Sequence, residues 1–144
     1  MTVAVLLSPR RPDVTEAVTR GAVRLLRALG YAALTEVALP NGRRADVMAL
    51  GPKGEFAIVE VKSSLEDFRA DGKWPEYLPF CDAFFFAVDP EFPREVLPDE
   101  PGLICADGYG GAVLRPAPDL PLAPARRKAL TLSFARLAAQ RVAP

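Results

Sequence analysis

The chain has 144 residues, half of them apolar and a quarter charged, with 15 prolines and 10 glycines, which suits one soluble globular domain with a core of its own. It holds no histidine and only two cysteines, so His-assisted nucleophiles, imidazole bases and the usual zinc sites are excluded, and any bound metal must take oxygen ligands. Eighteen basic and eighteen acidic residues cancel, which excludes a wholly basic coat but not a local basic patch.

Pro12-Asp13 with Glu16 three residues on predicts a capped helix start, and Val14, Val18, Ala22, Leu25, Leu26 and Leu29 then share one face up to Gly30. Alternation around Thr35, Val37 and Leu39 predicts a strand. Pro40-Asn41-Gly42-Arg43 predicts a tight turn of type I′, because Asn-Gly tolerates positive φ. A second strand is expected from about Arg44 to Leu50. The turn Gly51-Pro52-Lys53-Gly54 then leads into a third, from about Glu55 to Lys62.

Ser63-Ser64 with Glu66 and Asp67 predicts a helical segment to about Asp71, and Pro75 permits a new turn after Trp74. Ala83 to Val88 is a continuous apolar run of the kind found in a central strand, reached by a crossover and so expected parallel to its neighbour. Asp89 to Gly102 reads as a loop. Leu103–Ala106 and Ala112–Arg115 flank a glycine-rich turn as an edge hairpin. A proline-rich connector follows, and an amphipathic helix from Arg126 to Arg141 turns Leu130, Phe134, Leu137 and Ala138 inward.

The apolar runs Val3–Leu7 and Ala83–Val88 are too short to span a bilayer, and no basic n-region precedes the first. The expected setting is cytoplasmic, with no membrane contact and reduced thiols; Cys81 and Cys105 read as core residues. Arginine outnumbers lysine fourteen to four. That suits bidentate phosphate contacts, although a GC-rich genome produces the same bias.

Chemistry concentrates on Asp46 and Glu60-Val61-Lys62. Strand alternation puts Glu60 and Lys62 on one face, and an antiparallel pair closed at Gly51–Gly54 sets Asp46 opposite Glu60 if the register holds. Two facing carboxylates repel, so a cation must offset them, either Lys62 or a divalent ion. Two carboxylates with waters and a substrate phosphate suit Mg²⁺ or Mn²⁺, and a nearby lysine can orient the attacking water or stabilise a phosphoryl oxygen. The alternative is a solvated strand face held by an ion pair.

This arrangement resembles the PD-(D/E)xK nuclease superfamily, with Asp46, Glu60 and Lys62 on its motif positions and Ala45 where the motif's name has proline. The longer run is similar to the MmcB family of bacterial DNA-repair proteins. It comprises Asp46-Val47-Met48, Glu60-Val61-Lys62-Ser63-Ser64, Asp67 to Tyr77, and Cys81-Asp82 before Phe84-Phe85-Phe86-Ala87-Val88. The resemblance covers about residues 12 to 118. It implies an α/β fold with a restriction-endonuclease-like αβββαβ core, its mixed sheet flanked by helices, in a single domain over residues 1–144 with a C-terminal helix at about 125–141.

It further implies a metal-dependent DNA endonuclease of DNA repair, acting at the nucleoid. Asp46, Glu60 and Val61 would hold Mg²⁺ or Mn²⁺, and Lys62 would serve the water nucleophile. Glu16 is a candidate fourth catalytic residue, set against a capping role. Arg43, Arg44, Lys73, Trp74 and Tyr77 are candidate DNA contacts, Lys73 and Tyr77 at helical i, i+4 spacing. The bland readings are a solvated turn for the arginines and a loop packed on the sheet for Trp74 and Tyr77. Asp67 reads as a helix cap or an outer acid. A homodimer or a repair-protein partner is expected from the small size.

Two other functions compete. One is a non-catalytic DNA-binding repair adaptor on the same fold. The other, a phosphohydrolase of small nucleotides, is disfavoured by the missing Gly-rich phosphate loop.

Overall fold

Helix α1 (Arg11–Ala28) opens the fold, in the computed structural model, which describes residues 11–70 and 72–143, the side chains of residues 11, 12 and 70 excepted. The apolar run Val3–Leu7 and the expected helix end at Asp71 lie outside those residues. Arg11 is already helical, so Asp13 sits in the first turn and does not cap it. Val18, Ala22 and Leu26 are buried as their spacing requires, whereas Leu29 is exposed. The reason is that the helix has ended. Gly30 takes a φ of 95°, its N–H reaches the Arg27 carbonyl, and the Tyr31 N–H reaches that of Leu26, a Schellman stop.

Three strands follow as an antiparallel meander: β1 (Ala32–Ala38), β2 (Arg44–Leu50) and β3 (Phe56–Val61). The expected type I′ turn does not form, since Gly42 has positive φ and Asn41 does not. Pro40 holds φ near −65°, which selects a type I turn closed by a left-handed glycine. The Leu39 N–H meets the Arg43 carbonyl across the resulting three-residue loop. The second hairpin repeats the device with Pro52 and Gly54, closed between Gly51 and Glu55.

A short helix α2 (Leu65–Ala70) starts at Ser64, whose Oγ accepts the Asp67 N–H at 3.0 Å, while Asp67 Oδ2 accepts the Ser63 N–H at 3.2 Å. Asp67 is thus a cap residue, reciprocal with the serines. A 3₁₀ segment, Trp74–Phe80, carries the chain to β4 (Ala83–Val88), which runs parallel to β3 as expected of a crossover. Strands β5 (Gly102–Ala106) and β6 (Gly111–Arg115) complete a six-stranded mixed sheet in the order β1 to β6. β5 is parallel to β4, and β6 is antiparallel to β5. Helix α3 (Pro124–Val142) closes the chain.

The sheet separates two cores. On one face Val47, Ala49, Ala57, Val59 and Ile104 pack against Val18, Ala22 and Leu26 of α1. On the other, Met48, Phe56, Ile58, Phe84 and Phe86 meet the 3₁₀ segment and Leu130 and Phe134 of α3. Every residue of β3 is buried, because both faces are covered. The fold is α/β, a mixed sheet flanked by helices, consistent with a restriction-endonuclease-like architecture.

One polar knot joins the layers. The Asp82 carboxylate accepts the Phe56 N–H at 2.7 Å, the Leu122 N–H at 2.9 Å and two N–H groups of Arg127 at 2.5 and 2.9 Å. Arg127, in the first turn of α3, therefore pins that helix to the sheet.

Candidate functional site

The β2–β3 ladder pairs Val47 with Val59 and Met48 with Ile58. One residue further along, Asp46 comes opposite Glu60, the register on which the candidate site depended. There the backbone ladder gives way to side chains. The Asp46 N–H donates to Glu60 Oε1 at 3.0 Å, and the Val61 N–H donates to Asp46 Oδ2 at 2.8 Å. Each carboxylate is therefore gripped by the strand across from its own. Beyond this point β3 continues toward β4, with the Lys62 N–H on the Ala87 carbonyl at 3.0 Å.

The pair opens into a cleft of about 740 Å³, lined also by Thr15 and Glu16 from α1, by Val61, Lys62 and Ser63, and by Asp67 from α2. Glu60 and Lys62 are each only 5% exposed. Burial, then the neighbouring charge of Asp46, pushes the Glu60 carboxyl up to about 8. Burial likewise raises Asp46, against the Val61 amide that favours its charged form, and Glu36 adds to the rise. Burial and mutual repulsion thus disfavour two negative charges here, which either a proton on Glu60 or a cation would relieve.

The donor set is all oxygen, as an Mg²⁺ or Mn²⁺ site requires. Among the described residues no three acidic groups cluster closely enough to hold an ion together. Two carboxylates fit a small hard cation that keeps several of its waters. Glu16 is exposed and lines the cleft without joining the Asp46–Glu60 pair.

Glu36 was not singled out in the sequence. It falls opposite Asp46 across β1, between the Thr35–Val47 and Val37–Ala45 pairs. Its φ of 52° is left-handed, costly for a residue with a side chain. Arg141 of α3 braces the kink by donating to the carbonyls of Thr35 and Glu36 at 2.5 and 2.8 Å. Glu36 lines the two neighbouring cavities rather than the acid cleft. Strand register alone would have marked it as the third acid of a row, but nothing local in the sequence signals the kink.

None of the five expected DNA contacts lines the cleft. Arg43 is held by the Glu76 carboxylate, Nε to Oε1 at 3.2 Å and Nη2 to Oε2 at 3.3 Å. Tyr77 is 5% exposed, its ring stacked on Phe84 and its hydroxyl donating to the Arg44 carbonyl at 3.2 Å. Trp74 is half-buried and stacks on Phe84 at 5.7 Å. Tyr77 is core material and Trp74 packs on the same ring, as the reading of a loop packed on the sheet has it. The segment is 3₁₀ rather than α, and Lys73 stands at its N-cap position, so the helical i, i+4 spacing expected for Lys73 and Tyr77 does not apply there. Arg44 and Lys73 are exposed. Phe84 and Phe86 are sheet core as expected. Burial raises both thiols, that of Cys81 to about 12.

No helix among the described residues is long and apolar enough to cross a membrane. A comparison with curated proteins finds no match. Among solved structures, the SPO1766 protein from Silicibacter pomeroyi, of unknown function, is similar with a TM-score of 0.87 and 50% identity, over 90% of this chain and 88% of that one. The family model described as DNA repair protein MmcB-like matches residues 3–144. With a match of that extent, the chain belongs to the MmcB-like family of DNA repair proteins.

Proposed function

We propose that this protein is a metal-dependent DNA endonuclease of the PD-(D/E)xK kind, acting in DNA repair. The observation that carries the reading is the Asp46–Glu60 pair. The two carboxylates face each other across β2 and β3, fixed by each other's strand, with Lys62 two residues on in the same cleft. Two facing carboxylates, one buried and one half-buried, are expensive for stability alone, and a cation held between them would suit the cleft to phosphate.

Asp46 and Glu60, with Val61 beside them, would hold Mg²⁺ or Mn²⁺. When bound, the ion would supply charge stabilisation at the phosphoryl oxygens and a more acidic water. The chain's own part is positional. The amides of Asp46 and Val61 lock the carboxylates, so no reorganisation is needed as charge develops. Lys62, anchored through its backbone to Ala87, orients the attacking water or stabilises the developing negative charge. Water adds to phosphorus as the bond to the 3′ oxygen breaks, leaving a 5′-phosphate and a 3′-hydroxyl.

The test is cleavage of single-stranded, duplex and branched DNA in Mg²⁺, Mn²⁺ and EDTA, beside an Asp46→Ala/Glu60→Ala variant. Metal-dependent cutting that disappears in the variant is expected. DNA binding that persists in EDTA with no cutting by the wild-type protein under any condition would overturn the nuclease reading and leave a DNA-binding repair adaptor.

A further inference from the structure

Among the described residues the acid cleft offers one cation, Lys62, yet a DNA strand brings a charge at every phosphate on either side of the bond it presents. Those charges need a basic surface that leads into the cleft. The expected contacts do not line it, and five other arginines are engaged elsewhere: Arg43 by Glu76, Arg126 by the Pro79 carbonyl and the Phe80 ring, Arg127 by Asp82, Arg115 by the carbonyls of Pro98 and Pro101, and Arg141 by those of Thr35 and Glu36.

Helix α1 presents a different set. Arg20, Arg24 and Arg27 stand at i, i+4 and i+7, on one helical face. They line an open groove of about 590 Å³ that shares Thr15 and Glu16 with the acid cleft, so the two hollows adjoin. The row rises along the helix by about 6 Å and then about 4.5 Å, a series of point charges along one line. Two of its members are fixed in place. Arg20 Nε donates to the Gly108 carbonyl and Arg24 Nη1 to that of Tyr109, both at 3.1 Å. Each clamp uses one of the five N–H groups of a guanidinium, which anchors the side chain and leaves the others for a second partner. Glu16 and Glu36 also line the groove, so its basic character is confined to the arginine row.

We propose that Arg20, Arg24 and Arg27 form the track that binds the phosphate backbone of the DNA strand entering the Asp46–Glu60 cleft. The inference rests on the reading of that cleft as the place where a phosphodiester is met, and its test is a binding measurement that needs no cleavage.

Binding of a short fluorescent single-stranded oligodeoxynucleotide would be followed by anisotropy in EDTA over a range of salt concentrations. Three proteins are compared: wild type, Arg24→Gln/Arg27→Gln, and a Lys128→Gln/Arg136→Gln control that removes the same charge from the exposed face of α3. The α1 variant should bind on the order of tenfold more weakly, and its log–log salt slope should be shallower by about 1.4, the share of two phosphate contacts on a single strand. The control should bind as wild type does. Equal losses in the two variants, no loss in the α1 variant, or no binding by wild type would each overturn the track. Should the double variant melt early because Arg24 no longer clamps the hairpin, Arg27→Gln alone is read, with a slope change of about 0.7.

Activity separates this inference from the nuclease reading. A protein that binds through the row and never cuts keeps the track and loses the nuclease. One that cuts with the same KM after the α1 substitutions keeps the nuclease and loses the track.

Discussion

Asp46 and Glu60 hold each other's strands. Glu60 accepts the amide of Asp46, and Asp46 accepts the amide of Val61, the residue after Glu60. The same two bonds terminate the β2–β3 ladder and orient the acids, so the end of a secondary structure and the construction of a site are one event. Substitution at either acid should therefore affect both the local fold and any chemistry, and Lys62 offers the cleaner separation.

Lys62→Ala should fold with an unchanged circular dichroism spectrum and lose roughly 10²-fold or more in cleavage rate, the size of effect seen on removing one preorganised stabilising group. Single-turnover cleavage beside a thermal melt checks it. Near-wild-type rates would remove Lys62 from the mechanism.

Metal binding should release a proton. With burial and Asp46 holding the Glu60 carboxyl near 8, the metal-free site carries a proton at pH 7 that an incoming Mg²⁺ or Mn²⁺ must displace. Affinity should tighten as pH rises toward 8. The calorimetric heat at pH 7 should vary with the ionisation enthalpy of the buffer, and EDTA should reverse the stabilisation. Asp46→Asn/Glu60→Gln should melt identically with and without metal.

Arg127→Ala should destabilise the fold by about 2–3 kcal/mol, below the usual range for breaking a buried pair because Arg127 is 31% exposed. Urea denaturation checks this. Burial alone would raise the Asp82 carboxyl, but Arg127 and the amides of Phe56 and Leu122 outweigh it and hold it below its ordinary value. A depressed folded value means that this stabilisation is complete above the unfolded pKa of about 3.9 and fades as pH falls through the folded one. Asp82→Asn should therefore flatten the acid limb of the stability profile.

Gly21→Ala should be damaging even though alanine is the better helix former. A Cβ built on Gly21 lies 2.0 Å from the Asp107 carbonyl oxygen and 2.6 Å from that of Gly110, so α1 must move off the β5–β6 turn. Overpacking of this kind costs about 1–3 kcal/mol. The shift would also carry Arg20 and Arg24 away from their hairpin carbonyls, and a fall in melting temperature with weaker DNA binding is the expected pair of results.

Much of the architecture was legible in the residues themselves. β2 and β4 fall on their predicted bounds, because alternation, a glycine-closed turn and an unbroken apolar run are local signals. The same locality explains the errors. Asn41-Gly42 reads as type I′ until Pro40 is allowed to set the backbone before it. Leu29 belongs to the apolar series by spacing, yet Gly30 has already stopped the helix. Trp74 and Tyr77 look like ligand-binding aromatics in a polar stretch, and only the crossover shows that Phe84 lies beneath both rings.

By itself, the sequence determined the order of the elements, the oxygen-only chemistry open to a chain without histidine, and the presence of Asp46, Glu60 and Lys62 on adjoining strands. Periodicity and composition depend on neighbours along the chain. Only the tertiary structure decided the reciprocal grip of Asp46 and Glu60, the kinked Glu36 beside them, the Arg127 anchor in Asp82 and the placing of the α1 arginine row in a groove that adjoins the acid cleft. Each joins residues that the chain separates and packing brings together, and whether a charged side chain is consumed by a partner or faces a cleft is set by that packing.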